Sequence, residues 1–118
     1  MTRIVLPWPS PALSSNARVH WSARARATQR ARWEAMVLAR SERVTPDPNA
    51  VLSITYHPPS INRRRDVQNM PAMLKPAIDG IADAMGCDDS GFRPRFPDHF
   101  AAPVKGGAVI IEIAPPGA

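Results

Sequence analysis

The run Arg63-Arg64-Arg65-Asp66-Val67-Gln68-Asn69 sets phosphate-binding cations directly against a carboxylate, and Asp88-Asp89 supplies two more carboxylates further along. A guanidinium fork grips phosphate bidentately. Carboxylates clustered in an otherwise basic chain repel one another, and a divalent cation relieves that repulsion while bridging them to a phosphate. The combination points to a metal-dependent enzyme acting on nucleic acid.

The balance of charge supports that chemistry. The chain of 118 residues carries a formal net charge of +5, with Arg supplying 13 of its 15 cations. Arg binds phosphate more specifically than Lys does, so the bias favours nucleic acid over general solubility. Residues 1–65 carry 11 Arg against Glu34, Glu42 and Asp47, a net of +8, and residues 66–118 carry a net of −3. A basic half thus precedes an acidic half, although a solvated surface with chance asymmetry is the bland alternative.

A chain of this length is expected to form one domain with a single core. The single Cys87 has no partner for an intramolecular disulfide, which suits a reducing cytosol. No apolar run approaches the ~20 residues of a membrane span, and no signal peptide is evident. The expected location is the cytoplasm, in a bacterial cell or from a phage gene, with no membrane partner.

These groups must be held by elements that the prolines mark off. The 14 prolines are more than twice the usual share, and they cluster at residues 7–11, 46–48, 58–59, 94–103 and 115–116, which reads as loops between elements. Between them lie strand candidates at Arg3–Leu6, Val51–Tyr56 and Ala108–Ile113. Leu52, Ile54 and Tyr56 share one face, and Val109, Ile111 and Ile113 alternate in a pattern suited to a largely buried strand. Gly106-Gly107 reads as a turn, closing a hairpin between the last strand and a weak one around Ala101 to Val104.

Two helices complete the set. The first covers residues 22–43, with Ser22 as N-cap, Trp33, Met36, Val37 and Arg40 on one stripe, and Arg24, Arg26, Arg30 and Arg32 on the other face. In the second, Met70, Met73, Leu74, Ala77, Ile78, Ile81 and Met85 follow the spacing of a buried face. Asn69 is its expected N-cap, Pro71 fits its first turn, Pro76 should kink it and Gly86 stops it. The predicted class is α/β in the broad sense, more narrowly α+β: a small mixed sheet packed against two main helices.

On the second helix Lys75 and Asp79 stand one turn apart, opposite the methionine stripe. The bland reading is an exposed ion pair worth little. Asp88 and Asp89 follow the helix stop and serve equally well as a solvated turn. A helix of about 16 residues is ~24 Å long, so Asp66 and Asp89 share a metal only if the chain after Gly86 folds back or a kink shortens the gap. His20, His57, His99 and Cys87 lack the spacing of a structural zinc site and read as loop or surface residues. Trp8, Trp21 and Trp33 could stack on bases, with core packing the expected role.

Leu6-Pro7-Trp8-Pro9, Ser15-Asn16, Arg65-Asp66-Val67-Gln68-Asn69, Lys75, Asp79-Gly80 and Asp88-Asp89-Ser90 occur in that order over nearly the whole chain. In order and spacing the chain resembles the RusA family of Holliday-junction resolvases. That resemblance implies a small α/β fold, a homodimer and Mg²⁺-dependent symmetrical nicking of four-way DNA junctions. By motif position it implies Asp66 and Asp89 as metal-binding aspartates, Asp88 as their neighbour and Lys75 as the active-site lysine.

The chain departs from the family pattern in two places. Gln68 stands where the pattern has a carboxylate, and its amide oxygen holds Mg²⁺ less strongly, so turnover is expected to be weak, to prefer Mn²⁺ or to be absent. Extra residues between Asn69 and Lys75, nearly one turn of helix, rotate Lys75 by ~60°. The resulting expectation is a nuclease with catalytic Asp66, Lys75 and Asp89 and a metal held by Asp66, Gln68, Asp88 and Asp89. Arg24, Arg26, Arg30, Arg32, Arg63, Arg64 and Arg65 would hold DNA phosphates. The rivals are a junction-binding module of the same fold that is catalytically weakened or inactive, and a helix-turn-helix protein, in which the terminal strands have no role.

Overall fold

Alternation along the strands explains the sheet. In the computed structural model, which describes residues 1–60 and 65–117, β1 (Thr2–Pro7), β2 (Val51–His57) and β4 (Ala108–Ala114) each bury alternate residues. Ile4, Ile111 and Ile54 form one cross-strand row, and Leu6, Val109 and Tyr56 form the next. All six are buried on the same side of the sheet. The short β3 (Arg93–Arg95) completes the order β1-β4-β2-β3. β4 pairs antiparallel with both β1 and β2, while β3 runs parallel to β2.

The hairpin expected around Ala101 to Val104 does not form. Both edges of β4 are already taken by β1 and β2. Residues 101–104 instead hang from the end of β2, where the Ala101 amide donates to the Tyr56 carbonyl at 2.8 Å and the Val104 amide to that of Pro58 at 3.0 Å. Gly106 and Gly107 do make the expected turn, with φ of 78° and 74°.

The second helix, α2 (Met70–Met85), buries the residues its periodicity selects, except Met73, which is half-buried. Asn69 makes no capping bond. A 3-10 turn, Val67–Asn69, precedes the helix, and Asp66 caps that turn with its Oδ1 accepting from the Gln68 amide at 3.0 Å. The helix stops at Gly86, whose φ of 73° is left-handed, with the Cys87 amide donating back to the Ala82 carbonyl at 3.1 Å.

The first helix, α1 (Trp21–Ser41), faces the opposite way from its hydrophobic stripe. Its cap is His20, not Ser22: the ring Nδ1 accepts from the Ser22 amide at 3.2 Å. Ala35 and Ala39 are the buried residues, while Trp33 is 60% exposed and Val37 39%. The cause is close approach of the helices. A Cβ added to Gly80 would overlap the Arg32 carbonyl oxygen and stand 3.0 Å from the Ala35 Cβ. Only small residues fit this crossing, so the large ones turn outward. The exposed Trp33 and Trp21, 75% exposed, therefore depart from the expected core role, whereas Trp8 is half-buried against the core.

One cluster of buried residues joins the inner face of the sheet to α2 and to Ala35 and Ala39 of α1. The architecture is α+β, a mixed four-stranded sheet with two main helices, as the sequence predicts. No helix among the described residues is long and apolar enough to cross a membrane.

Candidate active site

The fold-back needed to bring Asp89 to α2 does occur. After the Gly86 stop, a 3-10 turn (Asp89–Gly91) redirects the chain into β3, and the Arg93 amide donates to the Ala50 carbonyl at 2.9 Å. Gly91 lies so close to the Pro48 carbonyl that a side chain there would overlap it. This route carries Asp89 to the middle of α2, where Lys75 Nζ donates both to Asp79 Oδ1, at 2.9 Å, and to Asp89 Oδ2.

Lys75 is thus forked between two carboxylates. Its side chain is 57% exposed, while those of Asp79 and Asp89 are 24% and 26% exposed. Hydrogen bonds to Asp89 and then Asp79 raise the lysine pKa, and the same bond from Lys75 lowers that of Asp89. Asp79, read in the sequence as half of a surface ion pair, is therefore part of a three-residue cluster. The one-turn spacing made the pair legible, but Asp89 reaches it only through the turn at Gly86.

Asp66 belongs to the turn that leads into the helix. Lys75 stands about 9 Å further along the helix axis than Asn69, and Asp66 occupies the turn ahead of Asn69. Its carboxylate caps that turn, and Gln68 beside it is exposed. Asp88 is exposed too, with Oδ2 accepting from the Ser90 hydroxyl at 2.9 Å. Of the expected ligands Asp66, Gln68, Asp88 and Asp89, Asp89 is the one hydrogen-bonded to Lys75. Among the described residues, no three of His, Cys, Asp and Glu converge as metal ligands.

The arginines are divided. At 100° per residue, Arg24 and Arg32 point roughly opposite to Arg26 and Arg30. Arg24 donates to the carbonyls of Ala17 and Ser14, at 3.1 and 3.3 Å, and ties the N-terminal loop to α1. Arg32 pairs bidentately with Asp83, at 2.6 and 2.8 Å, and locks α1 to α2; that bond lowers the Asp83 pKa. Arg30 pairs with Glu34 at 2.8 Å but stays 82% exposed. Arg26 is exposed, so Arg26 and Arg30, beside outward-facing Trp33, make the freer cationic surface of this helix.

Arg65 donates to the Ser60 carbonyl at 2.6 Å, and its guanidinium lies 5.7 Å from the Trp8 ring centroid. Arg63 and Arg64 lie outside the described residues. Arg65, Asp66 and Asn69 line two hollows, one polar and shared with Asp98, His99 and Phe100, the other walled by Trp8, prolines and methionines. A third hollow of about 580 Å³ lies between the N-terminal loop and both helices, with Arg26 and Arg30 in its lining and none of Asp66, Asp79, Asp88 or Asp89.

What this surface offers chemically is a charged lysine held by two carboxylates, on the same helix whose start carries Arg65 and Asp66. Such a group can bind a hard cation, a phosphate or both. No family model matches the chain. A protein of Xylella fastidiosa (strain Temecula1 / ATCC 700964), described as an uncharacterized protein, is 43% identical over 120 aligned residues, covering 96% of this chain and 76% of that protein. With that identity over nearly its whole length, the chain belongs to the same family as the Xylella fastidiosa protein.

Proposed function

We propose that the chain is a metal-dependent endodeoxyribonuclease of RusA-like fold that acts as a homodimer and nicks four-way DNA junctions in symmetrical pairs. The observation that carries this reading is the fork of Lys75 between Asp79 and Asp89. Mg²⁺ commonly takes one or two carboxylates and completes its shell with water and substrate phosphate. Two carboxylates that already converge on one cation fit that donor set, so Asp79 and Asp89 would hold Mg²⁺ or Mn²⁺. When bound, the ion would supply Lewis-acid polarisation of the scissile phosphate.

The protein's own residues do the rest. Lys75, kept protonated by its two partners, neutralises charge that builds on the phosphoryl oxygens in the transition state. Arg65, Arg26 and Arg30 hold flanking phosphates without reading sequence, and a two-fold pair of sites matches the opposed strands of a junction. A second reading, a junction-binding protein with weak or no turnover, draws on the uncharged, exposed Gln68.

Incubating the purified protein with a synthetic four-way junction and a linear duplex, with Mg²⁺, Mn²⁺ or chelator, tests both. Paired, metal-dependent nicks in the junction support the enzyme. Junction binding without nicks under either metal leaves only the binding module, and equal affinity for the linear duplex overturns both readings.

A further inference from the structure

Asn69 at the start of α2 and Asn16 of the N-terminal loop present side-chain amides with no structural task. Asn69 stands in the cap position yet makes no capping bond, because Asp66 caps the turn ahead of it. Neither its amide nor that of Asn16 makes a hydrogen bond among the described residues. Both line one hollow of about 360 Å³.

The walls of this hollow are largely apolar: Trp8, Pro9, Pro11, Pro59, Met70 and Met73. Trp8 is fixed from several sides. Its Cβ would stand only 2.8 Å from a Cβ added to Gly107, Phe100 lies 6.3 Å from its ring centroid, and Arg65 lies over its face. A volume of that size is at the low end for small-molecule sites, room for one planar group and not for a chain of them.

We propose that this hollow receives a single unstacked nucleobase from the DNA strand next to the bound phosphate, and reads its edge through Asn16 and Asn69. The proposal rests on the nuclease reading and names the part of the substrate that this second feature takes. An Asn amide presents one donor and one acceptor side by side, the pairing that base edges offer. Flat aromatic, proline and methionine walls suit the faces of a base.

The charges in the hollow decide among ligands. Among the described residues its lining holds one cation, Arg65, and one anion, Asp66, a balance that does not favour a phosphate inside. A sugar would need more hydroxyl partners than two amides and Ser14 provide. Arg65 at this position suits the phosphate attached to the inserted nucleotide, outside the apolar walls.

The test uses the full chain in chelator, so that nothing is cut, and four-way junctions carrying a 5-fluoropyrimidine at each position beside the crossover in turn. Binding is followed by anisotropy and the fluorine by NMR. With the wild-type protein, one strand position should give a displaced resonance. Asn16→Ala and Asn69→Ala should each abolish that displacement and weaken binding by about fivefold or more. Asn16 is exposed, so its variant keeps the test open should Asn69→Ala misfold. Junction binding with no displaced fluorine, or with one that both variants leave in place, overturns the base site and leaves the nuclease reading intact. Absence of binding to any DNA overturns both.

Discussion

Replacing Gly80 by Ala should drive α1 and α2 apart. The added Cβ meets the Arg32 carbonyl oxygen and the Ala35 Cβ. A backbone oxygen cannot rotate away as a side-chain tip can, so the helices themselves must shift. Overpacking of this kind costs about 1–3 kcal/mol, and the rigid obstacle places it near 3. Ala gains back about 1 kcal/mol in helix propensity over Gly. The net loss is about 2 kcal/mol, which for a domain of this size lowers Tm by ~8 °C. Thermal and urea unfolding followed by circular dichroism measure it. Because separation also strains the bidentate Arg32–Asp83 pair, Asp83→Ala should cost less in the Gly80→Ala background than in the wild type. A Tm equal to or above that of the wild type would show that the helices do not cross where Gly80 and Arg32 place them, and the account of why α1 turns Trp33 outward would fall with it.

The ion proposed on Asp79 and Asp89 takes no ligand from the exposed Gln68, so Gln68→Asp should leave the Mg²⁺ requirement for junction cleavage unchanged; a lower requirement would return it to the ligand set. Arg26→Ala should reduce the salt slope of DNA binding by about one with little change in Tm, whereas Arg32→Ala should lower Tm through loss of the Asp83 pair. Equal effects of the two substitutions on both measurements would contradict their different roles. The Lys75 fork should hold over a wide pH range. Asp89 is depressed below its ordinary value of 3.8, so its contribution is complete above that value and is lost as pH falls through the lower, folded-state pKa. Lys75 is raised above 10.5, so its contribution is complete below that value and is lost as pH rises through the higher, folded-state pKa. Chemical shifts of the Lys75 ammonium that track a single transition near neutrality would refute this.

The sequence made α2 legible because its apolar residues are large and regularly spaced, and β2 and β4 legible because one face of each is buried. The hydrophobic stripe of α1 faces outward for a physical reason: the helix buries Ala35 and Ala39, with Ala35 against Gly80, and small residues in a close crossing leave almost no periodic signal. The hairpin at 101–104 failed because local pairing cannot reveal that β4 lies between two other strands. In the candidate site, spacing alone gave Lys75 and Asp79, and helix length gave the condition that the chain must fold back to bring Asp89 nearer. How far it folds back depends on the close packing of Gly91 against Pro48 and on β3 beside β2, neither visible as a pattern. Asp66 illustrates the reverse case, since a carboxylate that reads as a ligand also caps the turn two residues on.

The strand order β1-β4-β2-β3 also bears on how the molecule assembles. The first and second strands never touch as partners; each pairs with Ala108–Ala114, the last of these four strands to emerge during synthesis. Until that segment is made, β1 has no partner at all and β2 has only the three-residue β3. Early in translation the nascent chain can therefore form its helices but not its sheet, and the closing strand must insert between two waiting neighbours. Contacts so distant in sequence make folding slow and leave strand edges unprotected meanwhile, so a ribosome stalled before residue 108 would hold a chain whose inner faces remain open to aggregation.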